Sequence, residues 1–338
     1  MKKSKIYLIY FEWANTKGNH AGMSYLAQKL ESDYANVKLI KMISGRSRLI
    51  KSLNVLYILY ISLYLKCVSS SNDKIFLMEY LAKSCFQDKL ALLIRKFSVK
   101  GKIYGLVHLA GSHLREIYKS NDVIKKKMEL LDECVVFGSS LAIFLKREIG
   151  FNNVFTTYHY VDTEYYKPLK NDFQTSSLRV LCLGNIKRDF NLLRNLVDSL
   201  PHIQFDICQG VMDLQSYFEG CKNVILHGYM TEDDLLGLMQ KNDVCLSIMT
   251  DTVGSNVITT SLATGLALVV SDVGSIRDYC TDKCAFFCKE LDEYRSAILY
   301  FSNHQIELEV YKRNAYEQGQ LFSYNNFREE FERLFSIS

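Results

Sequence analysis

A chain of 338 residues, 48% of them apolar, has the length and the hydrophobic content for two domains of ordinary size. Its charge is nearly balanced, 41 Lys and Arg against 37 Asp and Glu, and an excess of +4 spread over that length argues against nucleic acid as a partner. The ten cysteines are scattered, mostly within apolar runs such as Val180–Leu183 and Val244–Ile248, and no export signal follows the charged start. They read as reduced, packed thiols of a cytoplasmic protein.

The first half alternates short apolar runs with helical stretches, which predicts a parallel sheet with helices on both faces. Lys5–Phe11 reads as a buried first strand, and Gly18–Gly22 (GNHAG) as a loop opening a helix over His20–Glu31. Strands are expected at Val37–Met42, Lys74–Met78 and Ile103–His108, the last ending in the loop Leu109–Ser112. Cys134–Phe137, a helix over Ser140–Ile149 and Val154–Thr157 complete this half.

One segment breaks the pattern. Leu53–Val68 is apolar and rich in Tyr, and Arg46, Arg48 and Lys51 precede it. Its length of about 16 residues is short of the roughly 20 that a bilayer span needs. Two readings stand: a buried helix between strands, or an interfacial helix whose tyrosines and flanking cations dock residues 46–68 on an anionic inner-leaflet membrane surface.

The alternation restarts after a division near Pro168–Gln174. Strands at Leu178–Leu183, Phe205–Cys208, Val224–His227, Val244–Ile248 and Ala267–Ser271 are interleaved with helices over Phe190–Leu200, Thr231–Lys241 and Val257–Thr264. Thr231 followed by acidic residues is a helix start. A helical tail from Glu307 to Phe335 closes the chain. The expected fold is α/β: a first domain over 1–168, a second over 169–315, and a terminal helix over 316–338 returning to the first domain.

Ligands of doubly wound domains bind at the carboxyl ends of strands, and the chemistry-bearing residues fall there. In Asp251–Thr264, Gly254 allows close backbone approach to a ligand, and Ser255 or Asn256 can cap the following helix. That helix start offers unpaired N–H groups and partial positive charge to a diphosphate. Gly184–Asp189 (GNIKRD) follows the first strand of the second half, where Lys187 and, ahead of it, Arg188 can neutralise a leaving diphosphate. In the first half His108 ends a strand, with His113 competing for any role in sugar or acceptor positioning. Gly18, His20 and Gly22 suit an acceptor or a phosphate, and their loop lacks the GxGxxG of nicotinamide sites. Cys280, Cys284 and Cys288 have neither CxxC spacing nor a neighbouring His, so no metal is expected.

Three segments in consistent order carry a family resemblance: LDECVVFGSSLAIFLKREIGFNNVFTTYHYVDTEYYKP (Leu131–Pro168), HGYMTEDDLLGLMQKNDVCLSI and TTSLATGLALVVSDVGSIRDYC. Together they resemble the family 4 glycosyltransferases of the GT-B fold, two Rossmann-like domains facing across a cleft. The resemblance implies metal-independent, retaining transfer of a sugar from a nucleotide-diphosphate sugar, a co-substrate rather than a cofactor. It places Gly228 and Tyr229 near the base, Gly184, Lys187 and Arg188 at the diphosphate, Ser255–Val257 as amide donors, and His108 near the donor sugar. Where that family commonly carries a Glu pair around this helix, this chain has Thr252 and Thr260, with Asp251 as the substitute for the first carboxylate. The expected acceptor is a lipid-linked oligosaccharide or a growing surface polysaccharide, met at the cytoplasmic side of a membrane. Two alternatives remain: a GT-B sugar-nucleotide epimerase, and a non-catalytic, degenerate GT-B protein that binds a sugar nucleotide or scaffolds a partner.

Overall fold

The computed structural model describes residues 4–13, 17–43, 48–169 and 177–337. Arg46, the end of the Pro168–Gln174 division, and the side chains of Arg48 and Lys51 lie outside the described residues. The chain forms two compact units, Met1–Tyr158 with Arg328–Ser338, and His159–Phe327. The first unit therefore ends ten residues before the division placed from sequence, and it takes back only the end of the tail.

The first unit holds strands β1 (Ile6–Tyr10), β2 (Val37–Lys41), β3 (Lys74–Leu77), β4 (Lys102–Val107), β5 (Glu133–Phe137) and β6 (Val154–Thr157). They lie in the order β2-β1-β3-β4-β5-β6, every pair parallel. β1 is buried along its whole length, as expected of a strand covered on both faces. The strand order reverses direction between β1 and β3, and this is the switch point at which the crossovers on either side part. The tail is two helices, Gln305–Gln320 and Tyr324–Phe335, rather than one. The second ends with Phe335 fully buried, its ring edge-on to Phe76 (5.3 Å) and Tyr104 (4.9 Å) of this sheet.

The second unit holds β7 (Arg179–Cys182), β8 (Gln204–Cys208), β9 (Val224–His227), β10 (Val244–Ser247), β11 (Ala267–Ser271) and β12 (Ala285–Cys288). Their order is β12-β11-β10-β7-β8-β9, again all parallel, with the switch point between β7 and β10. Val180, Phe205, Ile207, Leu246 and Val269 turn one face of this sheet onto Leu193, Leu196, Ile298 and Phe301. Capping follows the sequence: the Asp189 carboxylate accepts from Leu192 N–H (2.9 Å) and the Thr231 hydroxyl from Asp234 N–H (3.2 Å). Both doubly wound domains thus form as the alternation predicts, while β12 and the helix Gln87–Lys96 were not read from it.

Candidate functional site

The second unit's switch point gathers most of the residues singled out from sequence. The loop after β7 is stapled along the end of β10: Arg188 and Met249 form an antiparallel bridge, Asp189 N–H donates to Ile248 O (3.1 Å), and Thr250 N–H donates to Lys187 O (2.9 Å). The staple forces Lys187 into the left-handed region at φ 54°, a strained conformation for a side-chain-bearing residue.

The geometry at Gly184 shows why this loop matters. Its φ is 83°, and a Cβ there would sit 3.1 Å from Arg188 Nη2 and 3.2 Å from Val257 Cγ2. Gly184, Arg188 and the first turn of the helix Asn256–Ala263 therefore meet at one point. Arg188 donates only to backbone carbonyls, Nε to Leu183 O (3.3 Å) and Nη1 to Ile186 O (3.4 Å), and no carboxylate pairs with it among the described residues. Burial holds its pKa below the ordinary arginine value, partly offset by the thiols of Cys245 and Cys182. A guanidinium remains charged under that shift, so Arg188 is a partly desolvated cation without a counter-ion among the described residues. A cavity of about 20 Å³, large enough for a water, opens beside it between Cys182, Ile207, Leu246 and Ile248.

The helix start facing Arg188 is uncapped. Ser255 holds the N-cap position without a side-chain capping bond, contrary to the role open to it from sequence. Ser255 Oγ and Asn256 Oδ1 are both buried without a partner among the described residues. The amides of Asn256 and Val257 precede the helix's own ladder, so two N–H groups and two orphaned side-chain oxygens surround the spot. The loop before them has a fixed shape. Gly254 lies at φ 91°, and Thr252 Oγ1 accepts from its N–H (3.1 Å). Asp251 Oδ1 accepts from Thr252 N–H (2.8 Å).

The remaining residues lie elsewhere. Thr260 is buried and donates its hydroxyl to Asn256 O (2.6 Å) within the helix. Gly228 and Tyr229 are exposed at the end of β9, two strands from β7. In the first unit, Gly18 is an exposed turn at φ 82°, the His20 ring packs tilted against Tyr25 (4.6 Å), and Gly22 precedes the helix Met23–Asp33. His108 stands at the end of β4 and bonds Glu79 Oε2 through Nε2 (3.0 Å), and its Nδ1 is buried without a partner. Burial pulls the His108 pKa down, but the charge and hydrogen bond of Glu79 outweigh it and raise the pKa above the ordinary histidine value. Glu79 was missed from sequence, and its only signal is an acid directly after a buried apolar strand. The Glu79 N–H donates to Gln87 Oε1 (2.8 Å), and Gln87 Nε2 donates to Ile9 O (2.9 Å), which ties the pair to the switch point of that sheet. Among the described residues no cluster of three His, Cys, Asp or Glu has the arrangement of a metal site.

No family model matches the sequence, and no curated protein sequence matches it. Solved structures do match in fold. A sucrose-phosphate synthase from Thermosynechococcus elongatus superposes with a TM-score of 0.78 at 13% identity, over 99% of this chain and 100% of that one. HepE from Anabaena, solved with UDP and glucose, gives 0.72 at 14% identity over 99% and 100%. The lipopolysaccharide outer core galactosyltransferase WaaB, in its apo form, gives 0.68 at 14% identity over 97% and 99%. At this identity the likeness is one of fold, and that fold is GT-B.

Proposed function

We propose that the chain is a glycosyltransferase that moves a sugar from a nucleotide-diphosphate sugar to a lipid-linked or surface-polysaccharide acceptor, with retention and without a metal. Arg188 carries the reading. It is a partly desolvated cation with no counter-ion among the described residues, set against a helix start with open amides and an unpartnered serine hydroxyl. Such a set binds an anion, and it favours the state in which a diphosphate leaves with its full charge. The fold neighbours support the nucleotide: HepE was solved with UDP and glucose, and WaaB is a galactosyltransferase. In this reading Gly184 and Gly254 admit the diphosphate to the backbone, Lys187 adds charge, and Asp251 stands nearest to a carboxylate for the donor. Tyr229 and Gly228 serve the base, and His108, oriented by Glu79, serves the transferred sugar. Gly18, His20 and Gly22 serve the acceptor.

The test is thermal stabilisation by UDP, GDP, ADP and CMP in the wild type and in Arg188→Ala. One diphosphate should raise Tm selectively, and loss of a charge-assisted contact should weaken its binding by about 10- to 100-fold. Transfer from the matching nucleotide sugar then checks the chemistry. Binding without any turnover would favour the degenerate, non-catalytic reading. Thr260 Oγ1 bonded to Asn256 O and Thr252 Oγ1 bonded to Gly254 N–H already favour that reading, since neither place offers a carboxylate.

A further inference from the structure

The helix Arg48–Val68 carries large apolar side chains on both its inward and its outward face. Its inward stripe of Asn54, Ile58, Ile61, Ser62 and Leu65 includes two polar residues at 2% and 0% exposure. Burying them requires local bonds: Asn54 Nδ2 donates to Ile43 O (3.1 Å) and Ser62 Oγ to Ile58 O (2.7 Å), while Asn54 Oδ1 has no partner among the described residues. Its outward face is apolar as well. Leu53, Leu56, Tyr60, Leu63 and Tyr64 are exposed at helical spacing, Leu56 by 64% and Tyr60 by 62%. Tyr57, Tyr60 and Tyr64 stack in a ladder with ring centroids 6.1 and 6.4 Å apart. An apolar face of this size on a water-facing helix marks an interaction surface.

The charge around it identifies the partner. From Ser52 to Lys102 the sequence has eight Lys and Arg against three acids, Asp73, Glu79 and Asp88. Asp73 and Glu79 are buried, and Asp88 is ion-paired with Lys127, so none of the three neutralises the surface. The neighbouring helix Gln87–Lys96 sets Lys89, Leu92 and Lys96 on one exposed side by their i, i+3 and i+7 spacing. Lys66 donates to Ser98 O (3.2 Å), which brings the loop that follows this helix beside the end of the apolar one. No helix among the described residues is long and apolar enough to cross a membrane, so a bilayer partner would be met at its surface.

We propose that this two-helix face docks the protein on an anionic lipid surface, with the Leu and Tyr side chains at the headgroup boundary and Lys89, Lys96 and Lys66 against acidic headgroups. The docking does not depend on the proposed transfer. The test is co-sedimentation of the full chain with phosphatidylcholine vesicles and with phosphatidylcholine–phosphatidylglycerol vesicles, at low and high salt. Binding should need the anionic lipid and weaken with salt. Leu56→Glu with Tyr60→Glu, both on the solvent side, should abolish it. Lys89→Gln with Lys96→Gln should weaken it about fivefold per charge removed, and both pairs of substitutions should keep the nucleotide response that Arg188→Ala loses. Equal binding to both vesicles, or to neither, overturns the proposal. So does a wild-type dimer in sedimentation that Leu56→Glu with Tyr60→Glu converts to monomer, because the face would then belong to a second copy.

Discussion

The ring of Tyr279 fills the space that a side chain at residue 254 would need: a Cβ on Gly254 would lie 2.2 Å from Tyr279 Cζ. Tyr279 is itself fixed, since its hydroxyl accepts from His159 N–H (2.9 Å) and reaches Val253 O at 3.5 Å. The loop that feeds the proposed diphosphate site is thus moulded against an immobile aromatic ring, with the backbone at φ 91°. Gly254→Ala meets both the clash and the positive φ and should cost about 2 kcal/mol or more. Nucleotide stabilisation should disappear with it. Thermal melts with and without UDP check this, and an Ala variant with wild-type Tm and response would mean that the loop yields freely.

A buried carboxylate, Asp206, should contribute to the acid limit of the second unit. Burial raises the Asp206 pKa, but hydrogen bonds from Arg179 Nη2 and His227 Nε2, both 2.7 Å, overcome it and hold the carboxyl below the ordinary range. A carboxyl whose pKa is lower folded than unfolded stabilises the fold fully above its unfolded value, about 4, and loses that contribution as pH falls through the folded value. Tm should therefore drop steeply below about pH 4, and Asp206→Asn should flatten that limb while lowering Tm at neutral pH. Calorimetry across the acid range decides the matter. Parallel acid limbs in the two proteins would acquit Asp206.

The parts of this fold that were legible are those written in contiguous residues. Val244–Ile248 and Ala267–Ser271 announce themselves as buried strands because every residue in them is apolar or small, and the glycines at 184 and 254 fall at strand ends where ligands gather. The Glu79–His108 pair was not legible, because it joins the ends of two strands that only the sheet makes neighbours. The terminal helix shows the same limit. Its helical period is plain, but whether Phe335 meets Phe76 and Tyr104 depends on packing between residues far apart in sequence. The apolar segment at Leu53–Val68 left two readings open, because hydropathy counts side chains and does not say which of them face inward.

Lys312 and Asp243 form an ion pair closed to water, Nζ to Oδ1 at 2.8 Å with side-chain exposures of 7% and 9%. Asp243 Oδ2 also accepts from Arg179 N–H (3.0 Å), so the pair ties the helix Gln305–Gln320 to the starts of β7 and β10. Lys312→Met removes the ion-pair partner of a buried carboxylate and should destabilise the fold by about 3–5 kcal/mol. Asp243→Asn added to Lys312→Met neutralises that carboxylate and should recover part of the loss. Urea unfolding of the two single variants and the double variant measures the coupling. Additive losses would show that the pair does not act as a unit.

The same helix supports the proposed diphosphate site from behind. A Cβ on Gly319 would lie 2.6 Å from Ala263 N and 2.8 Å from Leu262 C, so the helix Gln305–Gln320 touches the backbone of the helix Asn256–Ala263 through a residue with no side chain. Backbone cannot move aside as a flexible side chain can, and Gly319→Ala must shift one helix along or away from the other. The start of the helix Asn256–Ala263 would move with it, away from Arg188 and Gly184. A loss of about 1–3 kcal/mol is expected from the overpacking, with weaker binding of the nucleotide in the same variant. Gly237, in the helix Glu232–Met239, has open space where its Cβ would go and is the control. There Gly→Ala should be neutral or stabilise by up to about 1 kcal/mol through helix propensity. Tm and UDP titration of both variants separate the effects, and a Gly319→Ala protein indistinguishable from Gly237→Ala would show that the close approach of the two helices carries no function.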